Sequence, residues 1–532
     1  MATRRQPLAF GWLLPGLTAA IVLVVVALAA FLALWFSAPE TSWNALIRDS
    51  YLWHVVRFSF WQAFLSALFS VLPAIFLARA LYRRRFPGRT LLLRLCAMTL
   101  ILPVLVAVFG ILSVYGRQGW LAQLCHVLGW QWEFSPYGLQ GILLAHVFFN
   151  MPMATRLLLQ TLENIPGEQR QIAAQLGMRG RLVEWPWLRR QIPPVAALIF
   201  MLCFASFATV LSLGGGPRAT TIELAIYQAL NFDYDPARAA MLALIQMVCC
   251  LGLVLLSQRL SKALAIGASH IRGWRDPDDR LYSRLCDAAL IGAALLLLLP
   301  PLLAVIGDGL NSNLLSVLHQ PALWQALWTS LRIALAAGFL SVILTMMLLW
   351  SSRELRARRH PLTGQALELS GMLILAMPGI VLATGFFLLL NNSVGLPESA
   401  DGIVIFTNAL MAIPYALKVL ENPMRDIAAR YGTLCQSLGM HGFTRLRVVE
   451  LRALKRPLAQ ALAFACVLSI GDFGVVALFG NEDFRTLPFY LYQQIGSYRS
   501  QDGAVTALLL LLLCFLLFSV IEKLPGRDAK TE

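Results

Sequence analysis

Charge is scarce in this sequence. Only 13% of its residues are Asp, Glu, Lys or Arg, against 58% hydrophobic, and the acidic residues number 28 in 532. So much apolar surface exceeds what a single core could hide from water, which excludes an ordinary water-soluble fold. No GxxxxGK[ST] phosphate loop occurs. The stretch GGGPRATT starting at Gly214 is glycine-rich but has no lysine, so any ATP-hydrolysing site has to reside on a separate chain. HExxH and GxSxG are missing too, as are His, Glu, Asp or Cys clusters with ligand spacing, which argues against a membrane-embedded enzyme. The nine cysteines form no CxxC, and only Cys125 falls in a segment expected outside. They are predicted to be packing residues, with neither disulfide nor metal.

What the sequence does have is long apolar runs. A helix needs about 20 apolar residues to cross the hydrocarbon, because every amide there must be bonded within its own segment. Twelve runs qualify, with approximate cores at 13–36, 58–81, 95–116, 137–160, 193–213, 239–257, 287–307, 326–350, 368–391, 402–420, 458–480 and 503–521. The first follows Arg4 and Arg5 but is too long for a signal-peptide core, so it is expected to be retained. The expectation is an all-α membrane protein with twelve transmembrane helices. Basic residues set its orientation, since Lys and Arg resist translocation. With a cytoplasmic N-terminus, only eight of the 43 fall outside or at an outer helix end, among them Arg48, Arg218 and Arg499. Both termini are therefore expected in the cytoplasm of a bacterial inner membrane. A net charge of +15 spread through short loops forms no single basic face, so no nucleic-acid partner is expected; the lipid bilayer is.

The chain repeats itself. PMATRLLLQTLENIPGEQRQIAAQLGM, from Pro152, is answered by PYALKVLENPMRDIAARYGTLCQSLGM, from Pro414, at an offset of 262. VEWPWLRR from Val183 is answered by VELRALKR from Val449, and Thr221, Tyr227 and Gln228 by Thr486, Tyr492 and Gln493. Upstream, Ser59 pairs with Ser330, Pro103 with Pro378 and Gly110 with Gly385. The predicted domains are a first six-helix half at 1–257, a cytoplasmic linker at 258–286 and a second half at 287–532. Each half begins after an even number of crossings, so the two are parallel, with a pathway expected between them.

Two equivalent cytoplasmic loops, Thr161 to Gln191 and Glu421 to Arg456, stand out in a chain otherwise sparing with loops. Each is predicted to form a short amphipathic helix capped by Gly177 or Gly439 that docks into a partner, the plainer alternative being a glycine-capped connector. QIAAQLG at Gln171–Gly177 and TLCQSLG at Thr433–Gly439 resemble the EAA---G signature of membrane subunits of binding-protein-dependent ABC importers. FWQAFLSALFS, ILPVLVAVFGILSVYGRQGW and LSIGDFGVVALFGN are similar more narrowly to fused two-half permeases of bacterial thiamine importers. The resemblance implies two type I permease halves and thiamine, or its phosphates, as cargo. It also implies two copies of an ABC ATPase and one periplasmic substrate-binding protein as partners, with ATP hydrolysed by the partner and no cofactor in this chain. Contact with the ATPase would fall to Gln171, Ala173, Ala174, Leu176 and Gly177, and to Thr433, Ser437, Leu438 and Gly439.

Three departures stand against that pattern. Gln171 and Thr433 occupy the signature's glutamate position, so the resemblance carries no charged contact there. Arg452 stands where Pro186 stands in the first half. Val183 follows Gly177 four residues sooner than Val449 follows Gly439, about one helical turn. The shorter first loop is expected to seat its ATPase differently. Ionisable residues inside spans invite functional readings. Asp472, in SIGDFG, is a candidate pathway residue that suits a cationic cargo, or else a hydrogen-bonded structural residue; His146 and Arg332 are expected to be satisfied within the bundle or at an interface. A proton- or sodium-coupled twelve-helix transporter shares this topology, but the loop ARALYRRRFPGR lacks the acidic residue such proteins carry.

Overall fold

The computed structural model describes residues 13–38, 48–99, 101–130, 134–214, 216–260, 281–357, 361–391, 396–440, 442–480 and 484–523. Among them every regular element is helical. In chain order the main helices are α1 (Leu14–Ser37), α2 (Ser50–Arg83), α3 (Arg89–Met98), α4 (Val104–Tyr115), α5 (Leu139–Glu163), α6 (Gly167–Gln175), α7 (Gly180–Phe204) and α8 (Phe207–Leu213). Then come α9 (Pro236–Leu260), α10 (Leu281–Gly309), α11 (Pro321–Ala357), α12 (Pro361–Met372), α13 (Gly379–Asn391) and α14 (Leu396–Ser437). The last three are α15 (Lys455–Gly471), α16 (Gly474–Phe479) and α17 (Ser500–Lys523).

Among the described residues eleven stretches are long and apolar enough to cross a membrane, and a bent pair, taken as one span, supplies the twelfth. In that pair, Leu362–Ala376 and Gly379–Leu390 meet at 85°. Pro378 sits at the bend, and the third span of the first half breaks at the matching Pro103, where the chain leaves helical geometry just before α4. Proline lacks the amide that would continue the ladder, so the helix is interrupted at one repeated position in both halves. The fifth span departs from the expected core at 193–213. Its helix runs from Gly180 to Phe204 and stops at Ala205 and Ser206. Prolines 186, 193 and 194 lie inside it without ending it.

The helices form two compact units that cut across chain order. One gathers Met1–Asn44, Ile226–Val248 and Leu315–Glu532; the other gathers Ala45–Ala225 and Cys249–Leu314. In the first unit α1 packs on α11, α12 and α13, and in the second α10 packs on α2 and α4. Small residues allow these approaches. Gly385 faces Ala30 so closely that a Cβ would collide with it, and its repeat partner Gly110 faces Pro301 in the same way. Lipid tails offer no hydrophobic drive between helices, so such close packing is what binds a membrane bundle. Polar anchors add to it. Gly16 N donates to Ser351 Oγ at 2.8 Å, and the buried Asp287 of α10 takes Arg83 at 2.9 Å and Arg84 at 2.8 Å.

The repeat is also visible as chemistry. Ser59 Oγ accepts from the backbone N of Ile222 at 3.0 Å, and its counterpart Ser330 accepts from Leu487 N at 2.8 Å. Each serine thereby satisfies an amide at the start of a short helix, Ile222–Asn231 or Leu487–Gly496. Of the expected linker 258–286, residues 261–280 lie outside the described residues, as do both chain ends.

Candidate coupling site

Two glycine-capped turns, one in each unit, carry the predicted site residues. In the first, α6 ends at Gln175 and Gly177 takes a φ of +63°; in the second, α14 ends at Ser437 and Gly439 takes +64°. Met178 N donates to Ala173 O, and Met440 N to Cys435 O, both at 2.8 Å. These six-to-one bonds satisfy carbonyls the helix end leaves open, and a left-handed residue is what lets them close. Ala173 and Cys435, one repeat apart, are both buried. Leu176 and Leu438 are the opposite, 71% and 64% exposed, with Ile172 and Leu434 exposed one turn earlier. Gln171, Thr433 and Ser437 are also exposed, the Ser437 hydroxyl bonding back to Leu434 O at 2.8 Å. Ala174 belongs to α6, but its side chain lies outside the described residues.

The approaches to the turns differ. The sequence predicts a separate short helix in both loops, but only α6 is one; α14 runs unbroken from Leu396 into the second turn. Pro166–Gly167 interrupts the first half, whereas Ala428–Ala429 occupies the equivalent place in the second. Pro-Gly breaks a helix that Ala-Ala propagates. Beyond the glycines the halves diverge again. Gly180 opens α7 directly, while the second half, four residues longer here, passes first through the helical turn Gly442–Arg445 and a π-helical turn, Leu446–Glu450. A wider turn of this kind absorbs added residues without ending the helix.

Behind each turn lies a buried ion pair that sequence reasoning missed. Glu184 and Glu450, one repeat apart, are 2% and 1% exposed. Arg79 Nε of α2 reaches Glu184 at 2.7 Å, and Arg353 of α11 pairs with Glu450. The inserted turn contributes a second partner, Arg445 Nε, at 2.9 Å from Glu450. The surroundings differ as well. In the first half Arg170 lies over the Tyr82 ring at 4.8 Å and donates to Leu162 O at 2.8 Å, filling the space beside Glu184. The second half has Gly432 at the Arg170 position, and there a cavity of about 380 Å³ opens among Arg353, Arg356, Glu368, Arg425, Gly432 and Thr433.

Asp472 lies apart from the second turn, at the break between α15 and α16. It is half-buried, and its carboxylate oxygen Oδ2 has no hydrogen-bond partner among the described residues, while the nearby Asn408 Nδ2 donates to Ser469 Oγ at 3.0 Å. The first half breaks at the matching Ser206, whose hydroxyl turns back to Cys203 O at 2.8 Å. His146 is buried with Nδ1 at 2.8 Å from Ser66 Oγ, and Arg332 pairs with Asp401, so both expected polar outliers have partners. Tyr227 and Tyr492 lie on the short serine-held helices, where Tyr492 packs at 4.9 Å from Phe473.

The family described as "Binding-protein-dependent transport system inner membrane component" matches residues 355–525. Over the full length of both chains the protein is 83% identical to the thiamine transport system permease protein of Escherichia coli (strain K12) and 82% identical to that of Salmonella typhimurium. It is 44% identical to the one of Haemophilus influenzae, over 92% of each chain. Identity at that level, end to end and over both turns, leaves no part of the fold outside the comparison, and the chain belongs to this family of multi-pass inner-membrane transport permeases.

Proposed function

We propose that this chain is the translocation subunit of an ATP-driven importer for thiamine and its phosphates, fed by a periplasmic binding protein and driven by two copies of an ABC ATPase. The observation that carries this reading is the pair of glycine-capped turns, each presenting an exposed leucine at the same repeat position in a chain of this family. Gln171, Ala173, Ala174, Leu176 and Gly177 form one contact with an ATPase subunit; Thr433, Ser437, Leu438 and Gly439 form the other. Both termini and both turns face the cytoplasm in this reading, which rests on the distribution of Lys and Arg. The translocating repeats are 1–257 and 287–532, joined by 258–286. The extra turn after Gly439 seats the second ATPase copy differently from the first.

Asp472 is the proposed pathway residue. A helix break inside a span exposes backbone groups that hydrocarbon would not tolerate, so it belongs beside a polar route. A carboxylate there suits a cargo bearing a thiazolium cation. The test is purification of the chain from membranes with its ATPase, followed by ATPase measurement with binding protein. We expect co-purification of two ATPase copies per chain and a rate that rises when thiamine-loaded binding protein is added. A chain that purifies alone, or a rate indifferent to loaded binding protein, refutes the reading.

A further inference from the structure

A lever needs a fixed joint. The capped turns carry exposed leucines and join α14 or α7 directly, and two repeated ion pairs tie the chain leaving each turn to a second long helix, α2 or α11. Glu184 lies in the second turn of α7 and Glu450 ends the π-helical turn that follows Gly442–Arg445, so both sit in the helical stretches that leave the turns, while Arg79 and Arg353 sit near the ends of the long helices α2 and α11. Each pair therefore bridges the element that leaves a turn and a helix long enough to cross a bilayer. Both glutamates are almost wholly buried, so neither can exchange its arginine for water without moving the backbone.

We propose that Arg79–Glu184 and Arg353–Glu450 are positioning residues that make each turn and its long span move as one body, so that displacement of the turn by the ATPase is delivered to the span. This rests on the coupling role given to the turns above and adds the joint through which they act. Small shifts are transmitted where packed elements have discrete arrangements, and a buried ion pair, with one preferred geometry, enforces one. The two joints are built differently. Arg170 stacked on Tyr82 packs the first solid, and the pair there is supported on its flank. The second has a cavity at that position and recruits Arg445 from the inserted turn, so it depends more heavily on Glu450.

The experiment uses the whole complex in proteoliposomes with its ATPase and binding protein, and compares Glu184→Gln, Glu450→Gln and the double substitution. Glutamine keeps the shape and removes the charge. The readout is the ratio of ATPase rate with thiamine-loaded binding protein to the rate without it, at equal amounts of assembled complex. The expected result is a fall of about five-fold or more in that ratio for the double variant, the range of an ordinary coupling between sites. Glu450→Gln should show the larger single effect, and exchanging the charges, Arg79→Glu with Glu184→Arg, should recover part of the deficit of Glu184→Gln. A wild-type ratio in the double variant overturns the proposal. So does a deficit that only tracks the amount of complex and is not recovered by exchange, which would mark the pairs as merely structural. Failure of the coupling reading itself appears differently, as wild-type chain that captures no ATPase, and it removes this proposal too.

Discussion

Replacing Leu176 and Leu438 together with aspartate should leave a chain that inserts and folds but no longer captures its ATPase. Both side chains are exposed, so their removal opens no cavity in the bundle. Each is a large apolar anchor at the tip of a capped turn, the position at which an interface concentrates its energy. Losing the burial of a leucine side chain costs about 1.5–3 kcal/mol, and aspartate adds the burial of an unpaired charge. With both anchors replaced, affinity should fall about a thousand-fold, because every 1.4 kcal/mol is tenfold. Co-purification at fixed detergent and salt measures it. ATPase retained at wild-type stoichiometry would show that the turns are plain connectors. The single variants should each retain partial capture, since one turn remains.

A second large effect is expected at Asp287, in stability. Its carboxylate is buried and holds both Arg83 and Arg84, fastening α10 to the end of α2. Asp287→Ala leaves two guanidinium groups facing each other without their counter-charge, and breaking a buried pair from one side costs about 3–5 kcal/mol. Thermal unfolding of the purified chain should show a clear drop in midpoint. Replacing Asp287, Arg83 and Arg84 together by apolar residues of similar size should return most of that stability, because an apolar set can match a buried ion pair. An unchanged midpoint in Asp287→Ala would mean that α10 is held by packing alone.

The spans, the repeat and the two glycine caps are legible in the sequence because each is a local signal: a run of apolar residues, a constant offset, a Leu-Gly-Met ending. The exchange of first helices is not. Nothing in the periodicity of α1 says that it packs on α11 to α13, since its partners follow it by some 300 residues and contact runs through small residues common to every span. The ion pairs are hidden for a related reason. Arg79 and Glu184 are 105 positions apart, and each looks like an ordinary loop charge until the fold joins them. A signal that could have found them is present: VEWPWLRR and VELRALKR repeat an acidic residue inside loops otherwise dominated by bases. The continuity of α14 is also readable, since Ala428–Ala429 offers no reason to stop where Pro166–Gly167 does. Its length of 42 residues, with Pro414 and Pro423 inside, shows tertiary packing overriding two breakers. Asp472 stands out as an ionisable residue in a span, but the helix break that orients it does not, because GDFG reads as apolar sequence with one charge.

The most direct measurement is uptake of labelled thiamine into proteoliposomes holding this chain, its ATPase and loaded binding protein. Uptake should require ATP together with all three components and should persist when proton and sodium gradients are collapsed. Uptake by the chain alone, driven by either gradient without ATP, would contradict the account.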